Sequence, residues 1–438
     1  MSVFGSKNHG ISKEAFLIFC LIAAGYFYAG LQRISAASVL PHLALDYGFS
    51  AALVGFLSSL FYYSYGFLQN VWGAINDRIG PMRACSIGLA IAGLGSLIML
   101  AEHTPFVIAL SRVICGLGVG AMFTGVYLYA ALMFPARQYP FWAGCIMMTG
   151  NLGSVAAVAP LGYVMDKVGY NGLYSILAVL AFLLAAPLWF FRNRIQHGDD
   201  APDGEKAPLV EPAALYDDLK LGVKLLLSYR PLFVIVTVWA VLSAAMHTLQ
   251  GLWGVSWISV SCGITLAEAR YHATFISIGL VLGSPIGVTL RFLSRNGKTS
   301  LFCIVSAICA AWFLFIAGSY VHLSSRTMGL LGFFIGAATG AGMVFCSSTI
   351  RSLADIKHTG LVMGTGNTLI YLLVIIFQWG SGLVINHFPS GTPGSYLNEG
   401  YIISFALTTS IIVFTLTLIT TVKTFNRKEH GDEREQQA

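Results

Sequence analysis

The sequence predicts an all-α membrane protein in which twelve transmembrane helices form two pseudo-symmetric six-helix bundles. Hydrophobic residues make up 56% of the 438 residues, charged residues make up only 10%, and the mean hydropathy is +0.74. The surface of a water-soluble protein needs more charge than this. The apolar runs reach the length of about 20 residues that a membrane helix needs, and they lack the polar alternation of barrel strands. An internal repeat divides these runs into two sets of six.

Twelve apolar runs are separated by short segments rich in polar residues, glycine or proline. The first run begins after Glu14. It is longer than the apolar segment of a signal peptide and has no small-residue cleavage site, so we expect it to remain as the first span. The predicted spans are 14–42, 51–75, 83–101, 105–133, 140–165, 171–191, 231–260, 270–293, 299–320, 325–350, 359–388 and 401–422.

A polar stretch between the sixth and seventh spans divides the chain into two halves. It is rich in acidic residues and proline, which is typical of a flexible linker. We therefore predict four segments, which are a six-helix bundle over 1–191, a cytoplasmic linker over 192–230, a second six-helix bundle over 231–424 and a cytoplasmic tail over 425–438.

Lysine and arginine are concentrated at one side of the predicted spans. Because cytoplasmic loops keep more positive charge than outer loops, this bias predicts a multi-pass protein of the inner (cytoplasmic) membrane with both termini in the cytoplasm. The basic residues are spread over short loops, so the formal charge of +6 does not indicate a nucleic-acid partner. The outer side keeps only Lys167, Arg270 and Arg326, whereas the cytoplasmic side holds Lys7, Lys13, Arg78, Arg83, Arg137, Arg192, Arg194, Lys206, Lys220, Lys224, Arg230, Arg291, Arg295, Lys298, Arg351, Lys357, Lys423, Arg427, Lys428 and Arg434.

The two predicted bundles share features at an offset of 214 residues. The pairs that align are Gly73 with Gly287, Arg33 with His247, and Arg112 with Arg326, while Asn151 and Asn367, which each end a Thr-Gly-Asn run, lie two residues out of register. Several such coincidences at one offset indicate a repeat. Transporters built from parallel six-helix repeats bind their solute near the middle of the membrane, between the repeats.

Two motifs carry a resemblance to a known family. The run GAINDRIGPMR from Gly73 to Arg83 resembles the GxxxDRxGxxR signature of the major facilitator superfamily, and the run RVICGLGVGA that begins at Arg112 is similar to the family's RxxxGxGxG pattern. The second half departs from the signature, because Arg291 stands where the aspartate would be. The resemblance implies a transporter and not an enzyme, with two bundles that rock about a cavity lined by spans one, four, seven and ten.

The charged residues of these motifs are candidates for coupling or gating. Asp77 can face the positive N-terminal end of a neighbouring helix, while Arg78 and Arg83 can pair with carboxylates and so latch one conformation. The alternative is that these charges only set the orientation of the chain, although Asp77 adds nothing to a positive-inside signal. Arg112 lies toward the outer end of the fourth span and is a further candidate for shaping the gate.

Arg33 is the main candidate for a substrate-binding residue. It lies deep in the first span, where a charge costs several kcal/mol unless it faces a cavity or a partner. With Gln32 it could hold a planar anion through the guanidinium fork. The alternative is an arginine that reaches the outer face or Asp46. Some organic-anion symporters of the superfamily also carry an arginine here, and this chain resembles them in Arg33, in segment 53–65 and in Gln69, but it lacks the acids that they commonly place beside that arginine and in the fourth span.

His247 aligns with Arg33 and is the candidate for proton coupling. An imidazole can titrate near neutral pH, so it could attract an anion when charged or couple the anion's movement to a proton. The alternative is a neutral histidine bonded to a helix carbonyl. Other polar side chains that we expect at the cavity, and that could equally hydrogen-bond across helices, are Tyr28, Tyr62, Tyr127, Asn151, Gln250, Asn367 and Tyr371.

The sequence thus predicts a secondary transporter that moves a small carboxylate-type organic anion by alternating access, with the proton as coupling ion. Transport of amino acids or other zwitterionic or neutral solutes stays open, as does anion exchange. A membrane sensor built on a transporter frame is an alternative of a different class, but the tails and linker are too short for an output domain. We expect a monomer in the lipid bilayer with no cofactor, and with no metal site because the cysteines and histidines lack the spacing of ligands.

Overall fold

A computed structural model describes residues 13–135, 138–193, 212–294, 296–354 and 359–425. These residues form α-helices joined by short turns, with one π-helical turn at Leu249–Trp253. The helices are α1 (Lys13–Ile34), α2 (Ala36–Tyr47), α3 (Ala51–Ile79), α4 (Pro81–Ile98), α5 (Pro105–Met133), α6 (Tyr139–Ala156), α7 (Ala159–Phe190), α8 (Pro212–Ser228), α9 (Arg230–Thr248), α10 (Gly254–Cys262), α11 (Leu266–Leu293), α12 (Gly297–Tyr320), α13 (Ser325–Leu353), α14 (Thr359–Ile385) and α15 (Asn398–Thr420).

These helices confirm the predicted twelve-helix membrane fold. In the described part of the chain, 11 helical segments are long and apolar enough to cross a membrane. Helices α1 and α2 count as one of these segments, and α9, the π-helical turn and α10 count as another. The 18-residue α6 supplies the remaining span. It leads into the start of α7, which has a non-helical residue at Gly169 (φ 68°, ψ −176°), so the fifth span ends and the sixth begins there.

The inner face of the membrane is defined as the face at which α1 begins, and the outer face is the opposite one. Among the helices that begin at the outer face, α3, α5, α11 and α13 each have a serine or threonine N-cap. Its hydroxyl accepts a hydrogen bond from a backbone N–H of the first turn. These caps, which replace a missing helical bond, are Ser50, Thr104, Thr265 and Ser324.

The repeat predicted from the sequence is visible in the helix breaks. Helix α1 ends at Ile34 and α9 ends at Thr248, so both first spans are interrupted at the predicted offset of 214 residues. The equivalence of Arg33 and His247 follows, because each is the next-to-last residue of its helix. In the first half the helix restarts after Ser35 as α2, whereas in the second half a π-helical turn fills the break.

The predicted alignment of Arg112 with Arg326 is wrong. Helix α12 has 24 residues and its counterpart α4 has only 18, so the offset grows along each half. Helices α5 and α13, each of 29 residues, begin at Pro105 and Ser325. Arg112 therefore corresponds to Gly332, and Arg326 is an exposed residue in the first turn of α13.

The two halves are held together from the outer face to the middle of the membrane. Helices α3 and α14 form the longest contact between them, which we call the glycine seam, because Gly55 packs on the Gln378 carbonyl and Gly382 packs on the Ala51 carbonyl. Deeper in the membrane, Gly66 packs on the Tyr371 side chain, since a Cβ at residue 66 would lie 2.6 Å from that of Tyr371. Only glycine lets the two helices come this close.

The loop between α14 and α15 also bridges the halves at the outer face. Gly394 packs on the Ala44 carbonyl of α2, and the Tyr396 hydroxyl accepts a hydrogen bond of 2.6 Å from the Ala51 N–H at the start of α3. On another side of the molecule, the Ala159 N–H donates to Thr274 Oγ1 of α11 at 3.2 Å. The structure is therefore closed at the outer face.

Part of the predicted linker is helical. Within 192–230, helix α8 packs on the second half, where Gly222 contacts the Thr365 hydroxyl of α14. The first part of the linker, 194–211, and the tail beyond residue 425 lie outside the described residues. Among the basic residues used to predict orientation, Lys7, Arg137, Arg194, Lys206, Arg295, Lys357, Arg427, Lys428 and Arg434 also lie outside them.

Candidate functional site

Five side chains from both halves meet where the breaks in the first and seventh spans face each other. We call this group the central cluster, and it consists of Arg33, Tyr62, His247, Tyr371 and Gln378. The two breaks are in direct contact, because a Cβ at Gly251 would lie 3.4 Å from Ile34 Cδ1 and 3.2 Å from the Tyr62 hydroxyl. The cluster therefore lies at the joint between the two halves.

Arg33 is the charged group of the central cluster, and its side chain is half-buried. Its Nη2 donates a hydrogen bond of 3.2 Å to Ser154 Oγ of α6, while its Nε has no hydrogen-bond partner among the described residues. None of the groups with which it interacts electrostatically is an acid. They are the hydroxyls of Tyr26, Tyr62, Tyr65 and Tyr371 and the imidazole of His247.

Aromatic rings form the walls around Arg33. The Tyr62 ring stacks on Tyr371 with 6.0 Å between centroids and lies edge-on to the His247 imidazole at 5.8 Å. Tyr65 contacts Tyr371 edge-on at 5.2 Å. The fully buried Tyr62 hydroxyl forms no hydrogen bond within the described ranges. Such rings give a rigid apolar wall that carries polar tips.

His247 and Gln378 bring polar atoms from the second half. His247 Nδ1–H donates a hydrogen bond of 2.7 Å to the Ser243 carbonyl, which leaves Nε2 as the nitrogen that can gain or lose a proton. Gln378 Nε2 donates to the His247 carbonyl at 3.2 Å, and its Oε1 has no partner in the part of the chain described. This hydrogen bond is the one expected for the alternative, a neutral histidine bonded to a helix carbonyl. The second ring nitrogen, Nε2, nevertheless stays available.

The structure does not bring Gln32 and Tyr28 to Arg33. Gln32 Nε2 donates to the Tyr28 hydroxyl at 2.6 Å and to Ser96 Oγ of α4 at 2.9 Å, so both side chains are buried inside the first half. Gln32 was expected to bind the anion together with Arg33, and Tyr28 was expected at the cavity, but in this structure both side chains bond to each other inside the first half. Adjacent residues of a helix point in directions that differ by about 100°, whereas residues four apart, such as 28 and 32, share a face.

Gln250 is likewise turned away from the central cluster. Its Nε2 donates to Ser277 Oγ of α11 at 2.8 Å inside the second half. Asn367 instead bridges the halves, because its Nδ2 donates to Gln69 Oε1 of α3 at 3.3 Å. Tyr127 contacts the Phe123 ring at 5.0 Å, and Asn151 is half-buried on α6.

Arg112 is buried within the first half, next to the break in the first span. Its Nη1 donates to the Gln32 carbonyl at 3.2 Å and to Ser35 Oγ at 3.3 Å, and its guanidinium lies 4.8 Å from the Phe61 ring centroid. These contacts satisfy a carbonyl and a hydroxyl at the break. Arg112 also interacts electrostatically with Tyr62 of the central cluster.

The residues of the first motif lie at the inner face. Asp77, Arg78 and Arg83 are exposed, and Arg83 Nη2 donates to the Asn193 side chain at 2.8 Å. The partner of Arg83 is thus an amide and not the expected carboxylate. In the described residues, no group of three or more histidine, cysteine, aspartate or glutamate side chains is placed to hold a metal ion.

A second charged group, at the outer face, was missed by the sequence analysis. We call it the outer cluster, and it consists of His42 of α2, Asp166 of α7 and Arg270 of α11. Arg270 is 1% exposed, and its Nη1 and Nη2 donate to the two Asp166 carboxylate oxygens at 3.0 and 2.9 Å. Its Nη2 also lies 2.6 Å from His42 Nε2. In the sequence, Arg270 stands out only as a charge that helps to set orientation.

Comparison with known families agrees with this arrangement. The family model described as Major Facilitator Superfamily matches residues 22–378, which is most of the chain. The chain belongs to the major facilitator superfamily. It is therefore a multi-pass membrane transporter of a small solute and not an enzyme.

Several relatives within the major facilitator superfamily are described as anion transporters. Probable anion transporter 2 of Oryza sativa subsp. japonica chloroplasts is 23% identical over 64% of this chain, which spans about half (54%) of that relative's length. Probable anion transporter 3 of Arabidopsis thaliana chloroplasts is 23% identical over 79% of this chain and 74% of its own length. A probable sulfoacetate transporter of Cupriavidus necator is 21% identical over 71% of each chain.

A solved structure of the superfamily shares the fold. A bacterial homologue of the human lysosomal transporter Spinster, in an inward-facing and occupied conformation, superposes with a TM-score of 0.69. The match covers 94% of this chain and 97% of that one at 14% identity. This likeness extends the family assignment to the arrangement of the helices.

Proposed function

We propose that this member of the superfamily carries a small organic anion of the carboxylate type, by alternating access, and that Arg33 binds the anion. The observation that carries the proposal is the position of Arg33. It is a half-buried guanidinium at the joint between the halves, surrounded by hydroxyls and facing no acid. A charge in this place is costly unless a ligand of opposite charge completes it.

Unpaired polar atoms around Arg33 support the same proposal. Arg33 Nε, the Tyr62 hydroxyl and Gln378 Oε1 have no hydrogen-bond partner among the described residues. Buried polar groups in proteins are nearly always hydrogen-bonded, so such a group of unpaired atoms favours a polar ligand. A guanidinium and a hydroxyl both donate to carboxylate oxygens, and the tyrosine rings would cover an apolar body. The relatives described as anion and sulfoacetate transporters support an anion.

We infer that the proton is the coupling ion and that His247 binds it. Its Nδ1 is fixed on the Ser243 carbonyl, so a proton can be added only at Nε2, beside the Tyr62 ring. Replacing His247 by glutamine should abolish accumulation driven by a pH gradient and keep anion exchange, because exchange needs no net proton movement. His387, whose Nδ1 is bonded to the Leu383 carbonyl in the same way near the outer end of α14, provides the matched control. Accumulation that persists in His247→Gln would remove His247 from this role.

The topology that goes with this function is also our proposal. We place the inner face in the cytoplasm of a cell bounded by an inner membrane, with bundles over 1–191 and 231–424 that rock as units in a monomer. Asp77, Arg78 and Arg83 then lie at the cytoplasmic entrance, where they could latch the opposite conformation. Labelling of introduced cysteines at exposed Arg78 and exposed Glu102 with an impermeant reagent on intact cells tests the orientation. Labelling at residue 78 alone would contradict it.

Uptake into proteoliposomes tests the anion assignment. The purified full chain would be supplied with radiolabelled monocarboxylates, sulfonated carboxylates, zwitterionic amino acids and organic cations, with and without an inward proton gradient. We expect saturable uptake of at least one carboxylate or sulfonate, inhibited by the other anions. A preference for amino acids would favour the zwitterion alternative, and a preference for cations would contradict the proposal.

A further inference from the structure

The outer cluster joins the two halves at the outer face. Asp166 and His42 belong to the first half, and Arg270 belongs to the second. The two halves are tightly packed around it, because Gly162 contacts the Arg270 side chain and Ala159 N–H donates to Thr274 one turn further along α11. Any separation of the halves at the outer face must therefore break the bidentate Asp166–Arg270 pair and the Arg270–His42 contact.

The Arg270–His42 contact fixes the protonation state of the imidazole. An arginine guanidinium has only N–H donors and no acceptor. At 2.6 Å from Arg270 Nη2, His42 Nε2 must therefore accept the hydrogen bond with its lone pair. The closed state requires His42 to be neutral at this nitrogen. A proton on Nε2 would remove the acceptor and place a second positive charge against Arg270.

The charges around His42 come from three helices. Arg270 of α11 and Asp166 of α7 face it, and Asp46 lies one turn further along its own helix, where its Oδ2 accepts a hydrogen bond of 2.6 Å from the Tyr170 hydroxyl. The other elements packed on α2 are α1, α10, the π-helical turn, the start of α3 and the loop between α14 and α15. None of their ionisable groups is among those that interact electrostatically with His42. Asp166 already shares both oxygens with Arg270. A protonated His42 that turned toward this carboxylate would compete with Arg270 for it.

We propose that His42 is a proton-binding site that controls the outer gate, and that protonation of His42 from the outer medium releases Arg270 and opens this face. The neutral imidazole completes the closed gate, and the charged imidazole destabilises it. Acid at the outer face then favours the state that can load solute from that side. This inference concerns the gate alone, so it stands or falls independently of the anion assignment and of His247.

The test follows the width of the outer face in the absence of any solute. Spin labels would be attached through unnatural amino acids at the exposed residues Glu102 of the first half and Ser390 of the second, so that the eight cysteines stay in place. Distances would be measured on the full chain in lipid nanodiscs at pH 7.5 and pH 5.0. For the wild type, we expect the fraction with the long distance to rise by about tenfold at the lower pH, which corresponds to loss of one charge-assisted hydrogen bond.

Variants of His42 separate its titration from its packing. In His42→Gln and His42→Asn, an amide oxygen can still accept from Arg270 but does not titrate, so the short distance should persist at both pH values. His42→Lys, with a fixed charge, should give the long distance at both. His272→Gln is the matched control, since His272 lies two residues from Arg270 on α11 but packs on Gly329 of α13. It should respond as the wild type does.

The proposal is overturned if the wild type shows no change with pH. It is also overturned if both amide variants keep the wild-type response. Asp166→Asn, which removes the acid of the gate, should shift the distance to the long value at both pH values. A short distance at both pH values in that variant would show that the outer cluster does not hold the gate.

Discussion

Arg33 and Arg270 both lie between the two halves, but their surroundings are opposite. Arg270 is almost fully buried and uses both Nη atoms on the carboxylate of Asp166. Arg33 is half-buried, has Ser154 as its hydrogen-bond partner and faces hydroxyls in place of acids. Arg270 is therefore neutralised within the protein. Arg33 keeps its charge and part of its hydrogen-bond donor capacity for a ligand.

This difference assigns the two residues different tasks. A charge that is paired inside the protein stabilises the conformation in which the pair exists, which suits a gate. A charge that is left unpaired at a joint between repeats suits a ligand. Their position along the membrane agrees, because the outer cluster lies at the closed face and the central cluster lies at the breaks in the first and seventh spans.

The largest effect should come from removing the unpaired charge. Arg33→Gln should lower substrate affinity by about 100-fold, because a buried ionic hydrogen bond to the anion is lost. Arg33→Lys keeps the charge but not the planar fork and should lose about tenfold. Binding would be measured by isothermal titration calorimetry with the anion found in the uptake screen. Arg326→Lys, at an exposed residue, is the control. Equal affinity of Arg33→Gln and wild type would show that Arg33 does not bind the anion.

Breaking the paired charge should have a smaller effect that can be rescued. Asp166→Asn leaves Arg270 buried without an acid, and we expect maximal uptake to fall by about tenfold with little change in apparent affinity. The double variant Asp166→Asn, Arg270→Gln should recover part of this loss, because the unpaired charge is gone. Transport kinetics in proteoliposomes would measure both. Strictly multiplicative effects of the two substitutions would mean that the pair is not coupled.

A substitution next to the glycine seam would test whether close packing between the halves positions Tyr371. Gly66→Ala would bring a methyl group against the Tyr371 side chain, which belongs to the central cluster. We expect uptake to slow by about fivefold, since Tyr371 must shift to relieve the overlap. Gly380→Ala on α14, the helix that carries Tyr371, is the control, because a Cβ there meets nothing within 4 Å. If the two variants transport equally well, Tyr371 is not positioned by the seam.

The smallest effect is expected at Gln32, the neighbour of Arg33 in sequence. Its side chain bonds to Tyr28 and Ser96 inside the first half and does not reach the central cluster. Gln32→Ala should therefore lower the melting temperature but change anion affinity by less than about twofold. Thermal unfolding in detergent and the same calorimetric titration would be compared. A large loss of affinity would place Gln32 in the binding site after all.

Most of the fold could be predicted because hydrophobic length is a simple constraint in membranes. The equivalence of Arg33 and His247 was also accessible, since the breaks at Ile34 and Thr248 keep the offset of 214 residues. The alignment of Arg112 with Arg326 failed because α12 is six residues longer than α4, and a constant offset cannot detect such an insertion.

The side chains of the site were harder to predict. Arg33 and Gln32 are adjacent, and helix geometry alone could have placed them on different faces. The outer cluster left no local signal, because Asp166 and His42 lie 104 and 228 residues from Arg270 in sequence. Its members lie near the outer ends of membrane spans, where single charges are common and indicate orientation.

If the Asp166–Arg270 pair holds the outer gate, turnover should depend on the ionic strength of the medium on one side only. In the closed state the Arg270 side chain is buried while Asp166 stays partly exposed, so dissolved ions screen the pair only in part. Once the face opens, the separated charges meet the solution, and their ion atmosphere stabilises them. Raising the ionic strength on the outer side should therefore speed the opening step, and the same salt on the inner side should not. A carrier with this gate would therefore turn over faster at high than at low outer ionic strength, with the inner solution unchanged.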